Sequence, residues 1–339
     1  MNVNKIILGL LVTLASSFNL VQAAELNVYS HRQPFLIQPF LEAFSQKTGI
    51  KTNVLYSSKG LAQRLRSEGK NSPADVVLTV DIGRLYIYRD LNLLSEVKSA
   101  KILENVPSHL RAADNTWFAL SKRSRIIVTS KDRIAPGAIK TIEDLSDPKW
   151  KGKICSRPGS HVYNRALMAS VIAHHGSEKA EKWASGLVNN LARRPQGNDR
   201  AQVKAIYEGI CDVAIINNYY YGKLKFSEDE DQRKWAKALN LTFPNQGANG
   251  RGAHINISGG GVALYSKNKT NAVALLEFLS DPISQRLYGE INFEYPVNPK
   301  VNLTEELKSW GSFKEDQLPI QRIAELSREA QMMIDRVGW

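Results

Sequence analysis

The sequence predicts an α/β protein of two lobes joined by two crossing strands. Three observations predict it. The 339 residues exceed the roughly 100–200 of one ordinary domain. From residue 26 onward, strand-like and helix-like patterns alternate as βαβαβ, an order that calls for a parallel sheet with helices on its faces. The middle of the chain then repeats that alternation, and a late glycine-broken strand returns towards the first half.

At the N-terminus, Lys5 precedes the apolar run Ile6–Ala15, and Val21-Gln22-Ala23 offers small residues for cleavage, the pattern of an export leader over 1–23. The run is shorter than the roughly 18–20 residues that span a bilayer, and no second candidate follows, so stable membrane insertion is not expected. No cysteine near the cleavage point offers a lipid attachment site. The mature chain opens with the strand Leu26–Tyr29, then a helix over Ile37–Thr48 stopped by Gly49, and a second strand over Lys51–Tyr56. A helix over Leu61–Glu68, a strand over Asp75–Val80 and a helix over Ile82–Leu91 complete the first unit. A strand at Ser124–Ser130 leads into Gly152–Ser156, helices over Tyr163–His175, Ser177–Asn190 and Ala201–Glu208, and a strand over Asp212–Asn218. The returning strand is Ile255–Tyr265, followed by helices over Thr270–Leu279, Pro282–Gly289 and Pro319–Arg336; Pro282 and Pro319 suit a first helical turn. Ligand sites in such folds lie beyond the carboxyl ends of strands and between lobes.

The formal charge is +12, from 45 Lys and Arg against 33 Asp and Glu. The basic residues are scattered and form no nucleic-acid motif, so an anion or metal–anion cargo is the more economical partner. Cys155 and Cys211 form an even pair in an oxidising compartment, which favours a disulfide; two buried thiols are the alternative that spacing leaves open. There is no Cys-Xaa-Xaa-Cys and no clustered Cys/His set for zinc.

The most informative segment is Tyr219-Tyr220-Tyr221, between the buried-looking Val213–Asn218 and Gly222-Lys223. At a strand end, two of three consecutive phenols can swing towards one point. Phenolate is an anionic oxygen donor of the kind iron(III) prefers, whereas the bland reading is aromatic packing with hydrogen bonds.

Three stretches together resemble bacterial periplasmic ferric-ion-binding proteins, the solute-binding components of ATP-binding-cassette iron importers. They are Val28-Tyr29-Ser30-His31-Arg32-Gln33-Pro34, Ser72-Pro73-Ala74-Asp75-Val76-Val77, and the tyrosine triplet with Gly222-Lys223; Ala192–Gly197 and Glu294–Val297 are further landmarks. The resemblance runs from about residue 25 to Trp339 and implies a type II, Venus-flytrap periplasmic-binding-protein fold. The implied N-terminal lobe is 24–122 with 253–297, and the C-terminal lobe is 123–252 with 298–339. It also implies Tyr219 and Tyr220 as iron ligands, Tyr221 as packing, and Tyr163 in Gly159–Asn164 as the third ligand. Without it, Tyr163 reads as a tyrosine packed at a helix start.

Some members place His or a His-Tyr pair in the first loop and some add a Glu after the Pro-Ala-Asp-Val strand. Here those positions read Gln33-Pro34 and Val80. Three phenolates leave a six-coordinate iron about three donors short. The resemblance implies that a small synergistic anion such as carbonate fills them, held by Arg123 with Gln33 and Arg32. For Arg123 the competing reading is a hinge salt bridge. His31 is open to three readings: metal ligand, anion contact, or a residue that only shapes its loop.

The implied partner is an inner-membrane ATP-binding-cassette permease, and a monomer is the default for a carrier whose lobes must move. Two rivals remain. An exported hydrolase should show Gly-Xaa-Ser-Xaa-Gly or His-Glu-Xaa-Xaa-His, and neither is present. A carrier of an organic or phosphorus oxyanion could use Arg123 and the Ser258–Gly261 segment, although three phenols make a poor anion pocket.

Overall fold

Short apolar runs alternating with amphipathic helices fold as parallel strands covered on both faces, and the first three strands do so. The computed structural model describes residues 25–339; the expected leader over 1–23 lies outside the described residues. β1 (Glu25–Ser30) pairs in parallel with β2 (Lys51–Tyr56) and β3 (Val76–Thr79), with Val28 opposite both Val54 and Val76. All four residues of β3 are buried, as a strand covered on both faces requires. Between β1 and β2 runs α1 (Pro34–Thr48), longer at its start than the sequence pattern shows because Pro34 is accommodated in the first turn. It ends where Gly49, at φ 72°, donates its N–H to Ser45. Ile37, Phe40, Leu41 and Phe44 of α1 are buried. The other helices of this half are α2 (Leu61–Glu68), α3 (Ile82–Asp90) and α4 (Ala100–Asn105).

The short β4 (Leu94–Ser95) precedes β5 (Phe118–Ser130), thirteen residues long. Its first part pairs with β9 (Ile255–Ala263); its second pairs with β7 (Val213–Asn217) and β8 (Leu239–Thr242). With β6 (Ile154–Cys155) the main order is β2-β1-β3-β9-β5-β7-β6. β5 and β9 therefore carry the chain between the two halves, as expected. β5 begins six residues earlier than the expected Ser124–Ser130 because its first part, from Phe118, is held by β9. β9 lies between β3 and β5, and its glycines permit the close approach: a Cβ on Gly260 would lie 2.6 Å from the Val77 carbonyl oxygen.

The C-terminal half carries α5 (Val162–Asn189), α6 (Asp199–Tyr207), α7 (Asn218–Lys225) and α8 (Glu230–Lys237). The two helices expected over 163–190 are the two arms of α5, broken at Gly176, whose φ of 74° and ψ of 166° are not helical. The sequence reading missed β8 and α8. It also merged 319–336 into one helix where α12 (Ile320–Glu325) and α13 (Ser327–Val337) are distinct; before them come α9 (Lys269–Ser280), α10 (Pro282–Asn292) and α11 (Glu305–Ser309). Among the described residues no helix is long and apolar enough to cross a membrane.

Cys155 and Cys211 are disulfide-bonded, with Cα atoms 5.9 Å apart across 56 residues of sequence. Closing a loop of that length restricts the unfolded chain. The Cys155→Ser/Cys211→Ser variant is expected to lose roughly 2–4 kcal/mol of stability. Urea unfolding measures this, and a loss below about 0.5 kcal/mol would show that the bridge constrains little.

Candidate metal centre

The tyrosine triplet is not at a strand end but in the first turn of α7, directly after β7. Asn218 forces the change of direction: its Oδ1 accepts the Ser124 N–H at 2.8 Å, and its Nδ2 donates to the Phe293 carbonyl at 2.9 Å. A helix turns about 100° per residue, so three consecutive tyrosines cannot all face one point. Tyr219 and Tyr220 have ring centroids 4.5 Å apart; Tyr221 packs edge-on against Trp310 at 5.7 Å.

Tyr163 sits in the first turn of α5, capped by His161 Nδ1, which accepts the Tyr163 N–H at 3.3 Å. The loop before it is fastened by a residue from far along the chain. Trp339 donates its Nε1–H to Ser156 Oγ at 2.9 Å, and its carbonyl accepts the Gly159 N–H at 3.0 Å. The result brings two helix starts together. Tyr219 Oη donates to Tyr163 Oη at 3.0 Å, and Asn217 Nδ2 donates to Tyr219 Oη at 3.2 Å. Tyr163, Tyr219 and Tyr220 line one cavity of about 310 Å³.

Beneath the phenols lies a buried charge network that the sequence reading did not identify. Asp199 accepts from Arg125 Nη1 at 2.7 Å, from Arg157 Nη1 at 3.0 Å and from the Asn217 N–H at 2.8 Å. Burial alone would raise the Asp199 pKa, but Arg125 and Arg157 hold it below the usual carboxylate range. The guanidiniums of Arg157, Arg123 and Arg125 lie 5.1, 5.3 and 6.0 Å from the Tyr163 ring centroid. Burial, reinforced by the neighbouring phenols, pushes Tyr219 well above its ordinary pKa and raises Tyr220 as well. Tyr219 and Tyr220 are therefore protonated until a cation displaces their protons. A signal for the network existed in Arg125, a charge directly before the apolar run Ile126–Val128, where burial demands a partner. Asp199, at a helix start, gave none.

Gln33 is exposed at the start of α1 and lines the cavity across from the tyrosines, with Val80 and Arg84. Arg123 lies behind that wall. Its Nη2 donates to the Val80 carbonyl and lies 3.8 Å from Asp81 Oδ2, while its Nη1 is buried without a hydrogen-bond partner. Arg32 is engaged elsewhere. Nη1 donates to Ser258 at 2.8 Å and Nη2 to Glu294 at 2.6 Å, while Nε is buried without a partner. His31 is likewise committed. Ser57 O can only accept, so His31 Nδ1 carries the proton at 2.8 Å, and Nε2 accepts from Tyr88 Oη at 2.9 Å. Burial, with Arg84 nearby, pushes its pKa down to about 4. With no free lone pair it shapes the loop. The Ser258–Gly261 segment is sealed inside the sheet and offers no cradle for an oxyanion.

Among the described residues no group of three or more His, Cys, Asp or Glu is placed to hold a metal, so the clustered donors are the phenols. The chain is 46% identical to the ferric iron-binding protein A of Mannheimia haemolytica, solved in an open conformation, with a TM-score of 0.86 over 93% of this chain and 98% of that one. It is 42% identical, TM-score 0.88, to a Trichodesmium protein solved in complex with iron and citrate ligands, over 93% of this chain and 100% of that one. Iron uptake protein A2 of Synechocystis sp. is 40% identical over 94% of this chain and 91% of its own length. These neighbours share the two-lobed type II solute-binding fold. The profile described as bacterial extracellular solute-binding protein matches residues 40–315, and the chain belongs to that family.

Proposed function

We propose that this protein is a periplasmic carrier that captures iron(III) between its lobes and delivers it to an inner-membrane ATP-binding-cassette permease. One observation carries the reading. The Tyr219 and Tyr163 oxygens, from two different helix starts, converge to 3.0 Å with the Tyr220 ring beside them, in a cavity between the two halves. The names of the relatives, which bind or take up iron, agree with it. Binding rather than catalysis is the activity. The lobes are 24–122 with 253–297 and 123–252 with 298–339, and the carrier acts as a monomer so that they are free to move.

Iron(III) meets the three phenols on the C-terminal lobe and displaces their protons. An anion such as carbonate then fills positions on the side of Gln33 and the unpartnered Arg123 Nη1. Because phenol protons leave as iron arrives, affinity falls as pH drops. Hinge closure completes the shell and presents the form that the permease recognises.

The test is a visible absorption titration of metal-stripped protein with iron(III) and bicarbonate. A saturable phenolate-to-iron band at one metal per protein is expected, and its absence would overturn the reading. Arg123→Ala is expected to weaken bicarbonate-supported binding about 10–100-fold and to abolish its dependence on bicarbonate. An unchanged dependence would leave Arg123 as a hinge ion pair with Asp81.

A further inference from the structure

The cleft does not end at the tyrosines. Past His31 and His161 it opens into a second chamber of about 580 Å³, which shares Arg84, Arg157 and Val162 with the first. Its walls come from both halves: the start of α2 and one side of α3 on one side, the Arg157-Pro158 turn and the start of α5 on the other. Four cationic side chains line it, Lys59, Arg84, Arg157 and Arg165, and no Asp or Glu does. Among the described residues Lys59, Arg84 and Arg165 form no ion pair, and Arg165 has only the neutral Gln331 at 3.1 Å. Asp199 pairs with Arg157 from behind the wall, and Asp81, within electrostatic range of Arg84 and Arg165, is buried in bonds to Gly83 and Asn256.

Like charges facing each other across a gap repel, and an anion between them relieves that repulsion. Arg157 adds a second sign of a missing ligand. It is 7% exposed, gives Nη1 to Asp199, and leaves Nε buried without a partner. The start of α2 is also open: Gly60, at φ 79°, precedes it with no side chain capping the first amides. Free amides at a helix start and guanidinium forks together match a phosphoryl group, whose three terminal oxygens accept from several directions at once. The chamber exceeds what a bare phosphate fills, and Ala62, Ile87, Pro158 and Val162 give it an apolar side.

We infer that the outer chamber is a second anion site, separate from the metal centre, that binds a phosphate monoester with a small apolar body and bridges the two lobes. Lys59 and Arg84 hold the phosphoryl group from one lobe, Arg157 and Arg165 from the other. An occupant replaces repulsion across the cleft with shared hydrogen bonds, so it favours the closed arrangement whether or not iron is present.

The test is calorimetric titration of the iron-free protein with phenyl phosphate. One site per chain is expected in the wild type, in Tyr219→Phe/Tyr220→Phe and in Arg123→Ala. In Lys59→Gln/Arg165→Gln the affinity is expected to fall at least about tenfold, while the iron(III) titration of that variant stays unchanged. No heat in the wild type, or loss of binding in Arg123→Ala, would overturn the second site; the latter would place the anion beside the tyrosines. Failure of the iron reading appears separately, as absence of the iron colour in every variant.

Discussion

Tyr219→Phe and Tyr220→Phe are each expected to lower iron(III) affinity by more than about 100-fold, because loss of a ligand should exceed the roughly 10–100-fold typical of a residue behind the ligands. The substitution removes one oxygen and leaves the ring, so packing between Tyr219 and Tyr220 survives and the fold is retained. Tyr219→Phe also removes the donor to Tyr163 and the acceptor for Asn217. Tyr221→Phe serves as the internal control, since that ring packs on Trp310 away from the cavity, and its affinity should change less than about threefold. Competition against a chelator of known strength separates the three. Small and equal effects from all three substitutions would remove the tyrosines from the metal shell.

The second large effect is on stability. Asp199→Asn removes the charge that two buried guanidiniums share, and leaving such charges uncompensated costs about 3–5 kcal/mol. The pH dependence has a definite sign. The folded-state pKa of Asp199 lies below its unfolded value of about 3.9, so its contribution is fully present above that pH and is lost as pH falls through the folded value. The gap between wild type and variant, measured by denaturant unfolding, is therefore expected to be wide at pH 7 and to narrow below about pH 4. A gap at pH 7 of less than about 1 kcal/mol would mean that Arg125 and Arg157 find other partners.

The sheet was legible because its strands are short apolar runs with breakers at both ends, and the register of β1, β2 and β3 follows from that alternation. Tyr163, Tyr219 and Tyr220 were legible as a set only through resemblance; nothing in spacing alone brings residues 56 apart to one hydrogen bond. The local conformation of the triplet was misread. Aromatic residues favour strands, but Asn218 bonds to Ser124 and Phe293 and starts a helix against that preference. The ion pair of Arg32 was hidden for a related reason. Its position in the first loop is visible in sequence, whereas the Glu294 that claims it lies 262 residues away. Asp199 was invisible because a carboxylate at a helix start ordinarily reads as a favourable first-turn residue facing solvent.

Trp339 fastens the loop that presents Tyr163 through its bond to Ser156, 183 positions earlier. A chain is made and threaded from its N-terminus, so the three phenols exist long before the residue that fixes one of them. Until Trp339 docks, the loop before Tyr163 lacks its bonds at Ser156 and Gly159. The tyrosine cluster thereby depends on the docking of a residue remote in sequence.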